Sequence, residues 1–479
     1  MRIRILSLAA AASAAALVLS ACGSDTPASS VRSQDTDVPF TSCDSVACSG
    51  DLDGAAYQIL MPDTWNGTLL LWSHGIRAPQ PLPLSPDEPV NTAAEPAPGW
   101  SAEDAGEVAQ PLLDAGFALA GSAYSSNGWA VDDALADQTA LYDFFVANVG
   151  DPDRTIVWGA SLGGLVTALL AEREADWVDG SAPMCGVVGG GVDNLDLALD
   201  VTYGIQQLVA PQLQLTGYES WADAAKQWQV GYDAVLAAGG DVQKGVPAIL
   251  MLAAISDAAS QTRTYDGADL ESQVRAYGEA AVNALTYGTV FRSDIEARYG
   301  GNPSENVGVD YASRVSDEER QLIDSIGGEG TTDRLLAKLA AGERVAADPA
   351  ARTALEESST PTGAVTDPTL TLHTAADPLV ISQNESLYAQ RVAANPERTA
   401  DLLEAFTVAP TSYPPKVGAP YGAGHCNFTG ETYVGTAMLM EDWVRNGLVP
   451  TPGVIERELG ADSGYSSAFT PGPWPGESG

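Results

Sequence analysis

Histidine is scarce in this sequence, with only three in 479 residues: His74, His373 and His425. No H-E-x-x-H run and no Cys-x-x-Cys pair accompanies them, so neither a histidine cluster nor a catalytic metal is expected. Basic residues are scarce as well. There are 23 Lys and Arg against 63 Asp and Glu, a net charge of −40. A field of that sign repels polyanions and excludes a nucleic-acid binder. No G-x-G-x-x-G opens a helix after the first strand, and Gly189-Gly190-Gly191 lacks the Gly-Lys-Ser/Thr of a phosphate loop, so no cofactor is expected. Beyond the first 25 residues no apolar run is long enough to span a bilayer. What remains is 45% hydrophobic and 18% charged, a composition that builds a packed core.

The first residues read as an address. Arg2 and Arg4 precede an apolar, alanine-rich stretch that ends in Leu19-Ser20-Ala21-Cys22. Small residues before a cleavage point mark a signal peptide, here residues 1–21. Cys22 followed by Gly23-Ser24 resembles the lipobox of bacterial lipoproteins. The resemblance implies export, lipidation of Cys22, and anchoring to the outer face of the bacterial cell membrane, with the membrane a partner only through the lipid. Residues 22–42 are rich in Ser, Thr, Asp and Pro and read as a flexible tether. With Cys22 lipidated, four cysteines remain, and four allow three pairings. Cys43 with Cys48 is the local choice, leaving Cys185 with Cys426; the alternative is two or more buried free thiols. An oxidising compartment favours the disulfides.

Strand and helix signals then alternate. Residues 55–61, 69–73, 116–123, 155–158 and 179–185 read as strands, most of them short continuous apolar runs suited to burial on both faces. A helix with a possible aspartate cap follows Asp132-Asp133, and another covers residues 165–173. Residues 77–99 form a Pro-rich loop. From 193 to 364 the pattern is mainly helical, and strands return at 369–373 and 406–408 before a last helix over 432–446. This rhythm implies a mostly parallel, doubly wound α/β sheet with a large helical insertion. The expected units are a first core part at 43–192, a helical cap at 193–364, a second core part at 365–459 and a disordered tail at 460–479. Tyr203, Trp221 and Trp228 in the cap are expected to be core residues.

The chemistry lies at strand ends. Gly159-Ala160-Ser161-Leu162-Gly163 matches G-x-S-x-G between an apolar strand and a helix. That turn holds a serine in a strained conformation clear of the sheet, and the two glycines let neighbouring backbone pass closely. A serine nucleophile needs a base. His425 in the small-residue loop Gly422-Ala423-Gly424-His425-Cys426 suits the task. His373, inside an apolar strand, reads as a hydrogen-bonded core histidine. The base needs an orienting carboxylate, and Asp377 lies just past a strand end; Asp193 and Asp196 compete with it.

The order Ser161, Asp377, His425 with this elbow resembles the α/β-hydrolase superfamily over residues 55–191 and 369–447. The resemblance implies an oxyanion hole made by the backbone N–H groups of Leu162 and of Ile76, the latter after the His74-Gly75 pair, whose imidazole shapes its loop. The C-terminal pieces and Val309-Asp310-Tyr311 are similar to a group of bacterial α/β-hydrolases of unspecified substrate, from which the Pro-rich loop departs. The expected activity is cleavage of a small-molecule or polymeric carboxylic ester through an acyl-enzyme. A peptidase or acyltransferase on the same fold, and a non-catalytic surface binding lipoprotein, are the alternatives.

Overall fold

The computed structural model describes residues 32–33, 48–99, 102–410 and 421–477. Its sheet begins with β1 (Arg32–Ser33), β2 (Cys48–Leu52) and β3 (Ala55–Leu60). In β3 buried and half-buried residues alternate, the mark of a strand near an edge with one face covered. The next strands are β4 (Thr68–Ser73), β5 (Ala118–Ser122), β6 (Arg154–Ala160), β7 (Gly180–Met184), β8 (Thr369–Thr374) and β9 (Leu402–Thr407). Every residue of β4, β5, β7 and β8 is buried; β4, β5 and β7 accordingly read as runs of mostly apolar or small residues, whereas β8 alternates Thr369, Thr371 and His373 with Leu370 and Leu372.

The spatial order is β1-β2-β3-β5-β4-β6-β7-β8-β9. Strands β4 to β9 run parallel, and β2 and β3 are antiparallel. From β4 the chain steps outward to β5 and then returns to β6 on the other side. The strand order therefore reverses at β4 and β6, and in such sheets the crevice beyond the carboxyl ends at the reversal takes the ligand. This is the α/β-hydrolase architecture.

Residue alternation along the strands supplies both faces. Leu70 and Trp72 of β4 pack with α1 (Ala102–Asp114), α13 (Gly430–Asn446) and α14 (Pro452–Leu459). Leu69 and Leu71 point the other way, onto α2 (Val131–Asn148) and α3 (Leu162–Arg173). Between β7 and β8 lie α4 (Gly191–Leu208), α5 (Trp221–Gly240), α6 (Gly245–Ser256) and α7 (Leu270–Thr286). A π-helical turn, Tyr287–Phe291, carries α7 into α8 (Arg292–Tyr299). The segment closes with α9 (Asp317–Gly327), α10 (Thr331–Ala341) and α11 (Pro349–Ser359), and α12 (Gln383–Ala394) follows β8.

One apolar cluster joins Ile76, Leu162, Leu165 and Leu169 of the sheet layer to Leu199, Tyr203, Trp228, Leu285 and Phe291 of the inserted helices. Tyr203, Trp221 and Trp228 are buried. Trp129 Nε1 donates to Ser359 Oγ, and Trp221 Nε1 donates to the Pro81 carbonyl in the Pro-rich loop. That loop carries no helix or strand over its described residues. It is pinned by a buried ion pair, Arg77 to Glu95 at 2.9 Å, and Trp72 Nε1 donates to the same carboxylate.

Two expectations are corrected. Helix α2 has no side-chain cap; Asp132 and Asp133 lie inside its first turn, where their charge meets the positive end of the helix dipole. Residues 460–477 are ordered rather than disordered. The Val408 N–H donates to the Gly464 carbonyl and the Ser466 N–H donates to the Phe406 carbonyl, so the tail satisfies the open edge of β9. Trp474 then buries itself against Ile381 and Leu387. A Gly- and Pro-rich composition concealed these long-range partners. Among the described residues, no single helix is long and apolar enough to cross a membrane.

Candidate active site

Strand β6 ends at Ala160 and helix α3 begins at Leu162, so Ser161 must turn the chain in one residue. It does so at φ 60°, ψ −123°, a left-handed backbone that a non-glycine residue holds only under tertiary constraint. The constraints are visible. The Ser161 N–H donates to the Met184 carbonyl of β7 at 3.0 Å. A Cβ on Gly163 would stand 1.9 Å from the Ser73 carbonyl oxygen, and one on Gly159 would stand 2.5 Å from it. Only glycine at both places lets β4, β6 and α3 close on the turn.

Asp377 follows β8 and is completely enclosed. Its Oδ2 accepts from His425 Nδ1 at 2.8 Å, and its Oδ1 accepts from the N–H groups of Leu379 and Val380 at 2.8 and 2.9 Å. Burial opposes its charge, but the His425 charge and hydrogen bond, the His373 charge and the Leu379 N–H together hold its pKa below the ordinary carboxylate value. The loops carrying Asp377 and His425 are zipped together by backbone. The Gly424 N–H donates to the Ala376 carbonyl, the Ala376 N–H donates to Gly422, and the Thr374 hydroxyl lies 2.8 Å from the Gly424 carbonyl. With Nδ1 donating to a carboxylate, His425 presents Nε2 as the free acceptor. Among the described residues no hydrogen bond joins it to Ser161 Oγ, and Cys426 Sγ lies 3.5 Å from Nε2. Catalytic hydrogen bonds are often long before substrate arrives and tighten when it binds.

Cys185 and Cys426 form a disulfide with Cα atoms 5.5 Å apart. Cys185 follows Met184, the acceptor of the Ser161 N–H, and Cys426 follows His425. The bridge thus ties the His425 loop to the strand end that accepts from Ser161. Cys48 is disulfide-bonded as well. Cys22 and Cys43 lie outside the described residues.

Ile76 and Leu162 are buried beside Ser161, and their N–H groups have no hydrogen-bond partner among the described residues. The Leu162 N–H opens a helix and has no intrahelical acceptor. His74 is buried and stacked on Tyr124 with ring centroids 3.9 Å apart. Burial, then Arg77, pushes its pKa well below the ordinary imidazole value. It is a neutral ring that shapes the loop carrying Ile76.

These groups open into a cavity of about 760 Å³, counting its mouth. Ser161, Ile76 and Leu162 line one side and Leu379 and Val380 another; Leu195, Ala198, Val201, Ala280, Ala284 and Tyr287 of the inserted helices, with Trp129, Asn194 and Ser256, line much of the remainder. None of the lining side chains is charged. Helix α7 presents the small residues Ala280 and Ala284 here, a signal that a heptad-like apolar pattern hides, because core and cavity alanines look alike in sequence. The competing acids are occupied elsewhere: Asp193 pairs with Arg391 and Asp196 with Arg352, each at 2.9 Å. Tyr311 donates to the buried Asp200 at 2.6 Å, and Asp310 caps the following 3-10 turn. Both belong to the scaffold of the inserted helices.

No family model matches the chain. The o-phthalyl amidase of Xanthobacter agilis is 29% identical over 180 residues, 37% of this chain. The chain spans about a third (34%) of the length of that relative. Among solved structures, feruloyl esterase B of Aspergillus oryzae is 13% identical, with 84% of this chain and 80% of that chain covered at a TM-score of 0.37. Candida antarctica lipase A is 12% identical, with 85% and 80% covered at a TM-score of 0.36.

Proposed function

We propose that the protein is a lipid-anchored, exported serine hydrolase that cleaves carboxylic esters of uncharged, apolar acyl groups. The observation that carries the reading is the 2.8 Å bond from His425 Nδ1 to the enclosed Asp377, together with Ser161 held on a strained turn at the lining of an uncharged cavity. His425 Nε2 takes the proton of Ser161 as Oγ attacks the ester carbonyl. Asp377 holds the tautomer and balances the imidazolium. The oxyanion forms at the N–H groups of Ile76 and Leu162; a donor placed there contributes about 3 kcal/mol to the transition state. His425 then returns its proton to the leaving alcohol. Water enters by the same base, and the acyl group leaves as the acid. A lining without a basic side chain offers nothing to a carboxylate on the acyl group, which is why uncharged acyl groups fit better.

A second reading is amide cleavage, favoured by the similarity to a protein named as an amidase. The same groups serve it, with His425 protonating an amine. The test is fluorophosphonate labelling of the full chain beside Ser161→Ala, with matched acyl esters and acyl anilides as substrates. Labelling and ester turnover that vanish together in Ser161→Ala are the expected result. Turnover of the anilides alone would move the assignment to an amidase. Absence of labelling in the folded protein would overturn the hydrolase reading.

A further inference from the structure

His373 is fully enclosed in β8, and both of its ring nitrogens are engaged. Nε2 lies 2.9 Å from the Val380 carbonyl, an acceptor only, so Nε2 carries a proton. Nδ1 lies 2.8 Å from Glu385 Oε1 on α12, a carboxyl that is itself completely buried. Asp377 Oδ2 stands 3.9 Å from Nε2 on the side away from Glu385. The same Val380 that accepts from His373 donates its own N–H to Asp377 Oδ1. His373, Val380, Asp377 and His425 therefore form one continuous chain of contacts ending at the base.

We propose that His373 is a positioning residue for the reaction: a ring with both nitrogens donating, held between Glu385 and the Val380 carbonyl beside Asp377, that fixes the 377–380 turn and so the orientation of His425. This rests on the serine-hydrolase reading above. Without a cation at 373, two buried carboxylates would lie close together with one imidazolium to share.

The surroundings agree. Burial opposes charge on His373, but the Glu385 hydrogen bond and charge, the Asp377 charge and the Val380 carbonyl outweigh it and raise its pKa above the ordinary value. The other groups nearby are Glu404 on β9, which faces Glu385, the neutral phenols of Tyr388 on α12 and Tyr287 from the inserted helices, and His425 beyond Asp377.

The test uses the full chain labelled with ¹⁵N-histidine, where three histidines give three assignable rings. At pH 8 the His373 ring is expected to show both nitrogens protonated, and Glu385→Gln to bring its titration into the accessible range. His373→Gln is then expected to lower kcat roughly tenfold or more at nearly constant KM. It is also expected to move the acid limb of the pH–rate profile upward by about half a unit, because a neighbouring cation has been removed. A singly protonated His373 ring at pH 8 overturns the proposal. So does an unmoved acid limb in a folded His373→Gln protein. The ring spectrum needs no turnover, so its failure is distinct from a failure of fluorophosphonate labelling, which would refute the hydrolase reading instead.

Discussion

Removing the Cys185–Cys426 crosslink is a perturbation whose size follows directly from chain connectivity. The two residues are 241 apart in sequence. Closing a loop of that length removes about 5.5 kcal/mol of unfolded-chain entropy in the simple loop model, and native bridges typically contribute roughly 2–5 kcal/mol. The paired variant Cys185→Ala/Cys426→Ala isolates this term. Both positions hold left-handed backbone, φ 40° and 47°, where alanine is strained much as cysteine is. Reductant alone is a poorer experiment, because the bridge at Cys48 responds to it as well. Chemical denaturation followed by tryptophan fluorescence should show the variant less stable by roughly 2–5 kcal/mol. Activity should suffer in protein that is still folded, since the bridge joins Met184's neighbour to His425's neighbour. A misplacement of about 1 Å at the base is enough for a hundredfold loss in kcat. A stability change below about 1 kcal/mol together with unchanged kcat would refute the reasoning, because the crosslink would then constrain neither the unfolded chain nor the base.

Asp377→Asn should keep the fold and KM while lowering kcat by about 10⁴, as the amide no longer selects the tautomer with a free Nε2; steady-state kinetics with circular dichroism checks this. Glu404 supplies a pH prediction. Burial, then the Glu385 charge, raises its pKa to about 7, so stability is full below its unfolded value near 4.5 and falls as pH rises through 7. Glu404→Gln should therefore stabilise the protein at pH 8 and leave it unchanged at pH 4. The gain is about 1–2 kcal/mol after allowing for its partly exposed carboxyl, read from denaturation midpoints at both pH values. Trp474→Ala should cost about 3 kcal/mol, because the indole is buried over Ile381 and Leu387 and is the most buried of the tail's aromatic anchors. Equal midpoints for wild type and variant would return the tail to the status of a loose end.

The linear sequence by itself determined the parts whose physics is local. Mostly apolar or small-residue runs bounded by turns marked β4, β5, β6 and β7, because strands buried on both faces leave little polar alternation. The elbow was legible in five residues, because the strained turn demands glycine at two fixed offsets. With only three histidines, the sequence left a short choice for the proposed base. Tertiary structure decided everything that depends on partners far along the chain. It joined Asp377 to His425 across 48 residues and sent Asp193 and Asp196 into ion pairs instead. It made an ordered tail of a Gly- and Pro-rich segment by giving its backbone the open edge of β9. It also gave His373, a hydrogen-bonded core histidine as expected, its partner, because only folding brings Glu385 of α12 within 2.8 Å of its ring. Long-range electrostatics and edge pairing leave no periodicity in a sequence, whereas burial and backbone strain do.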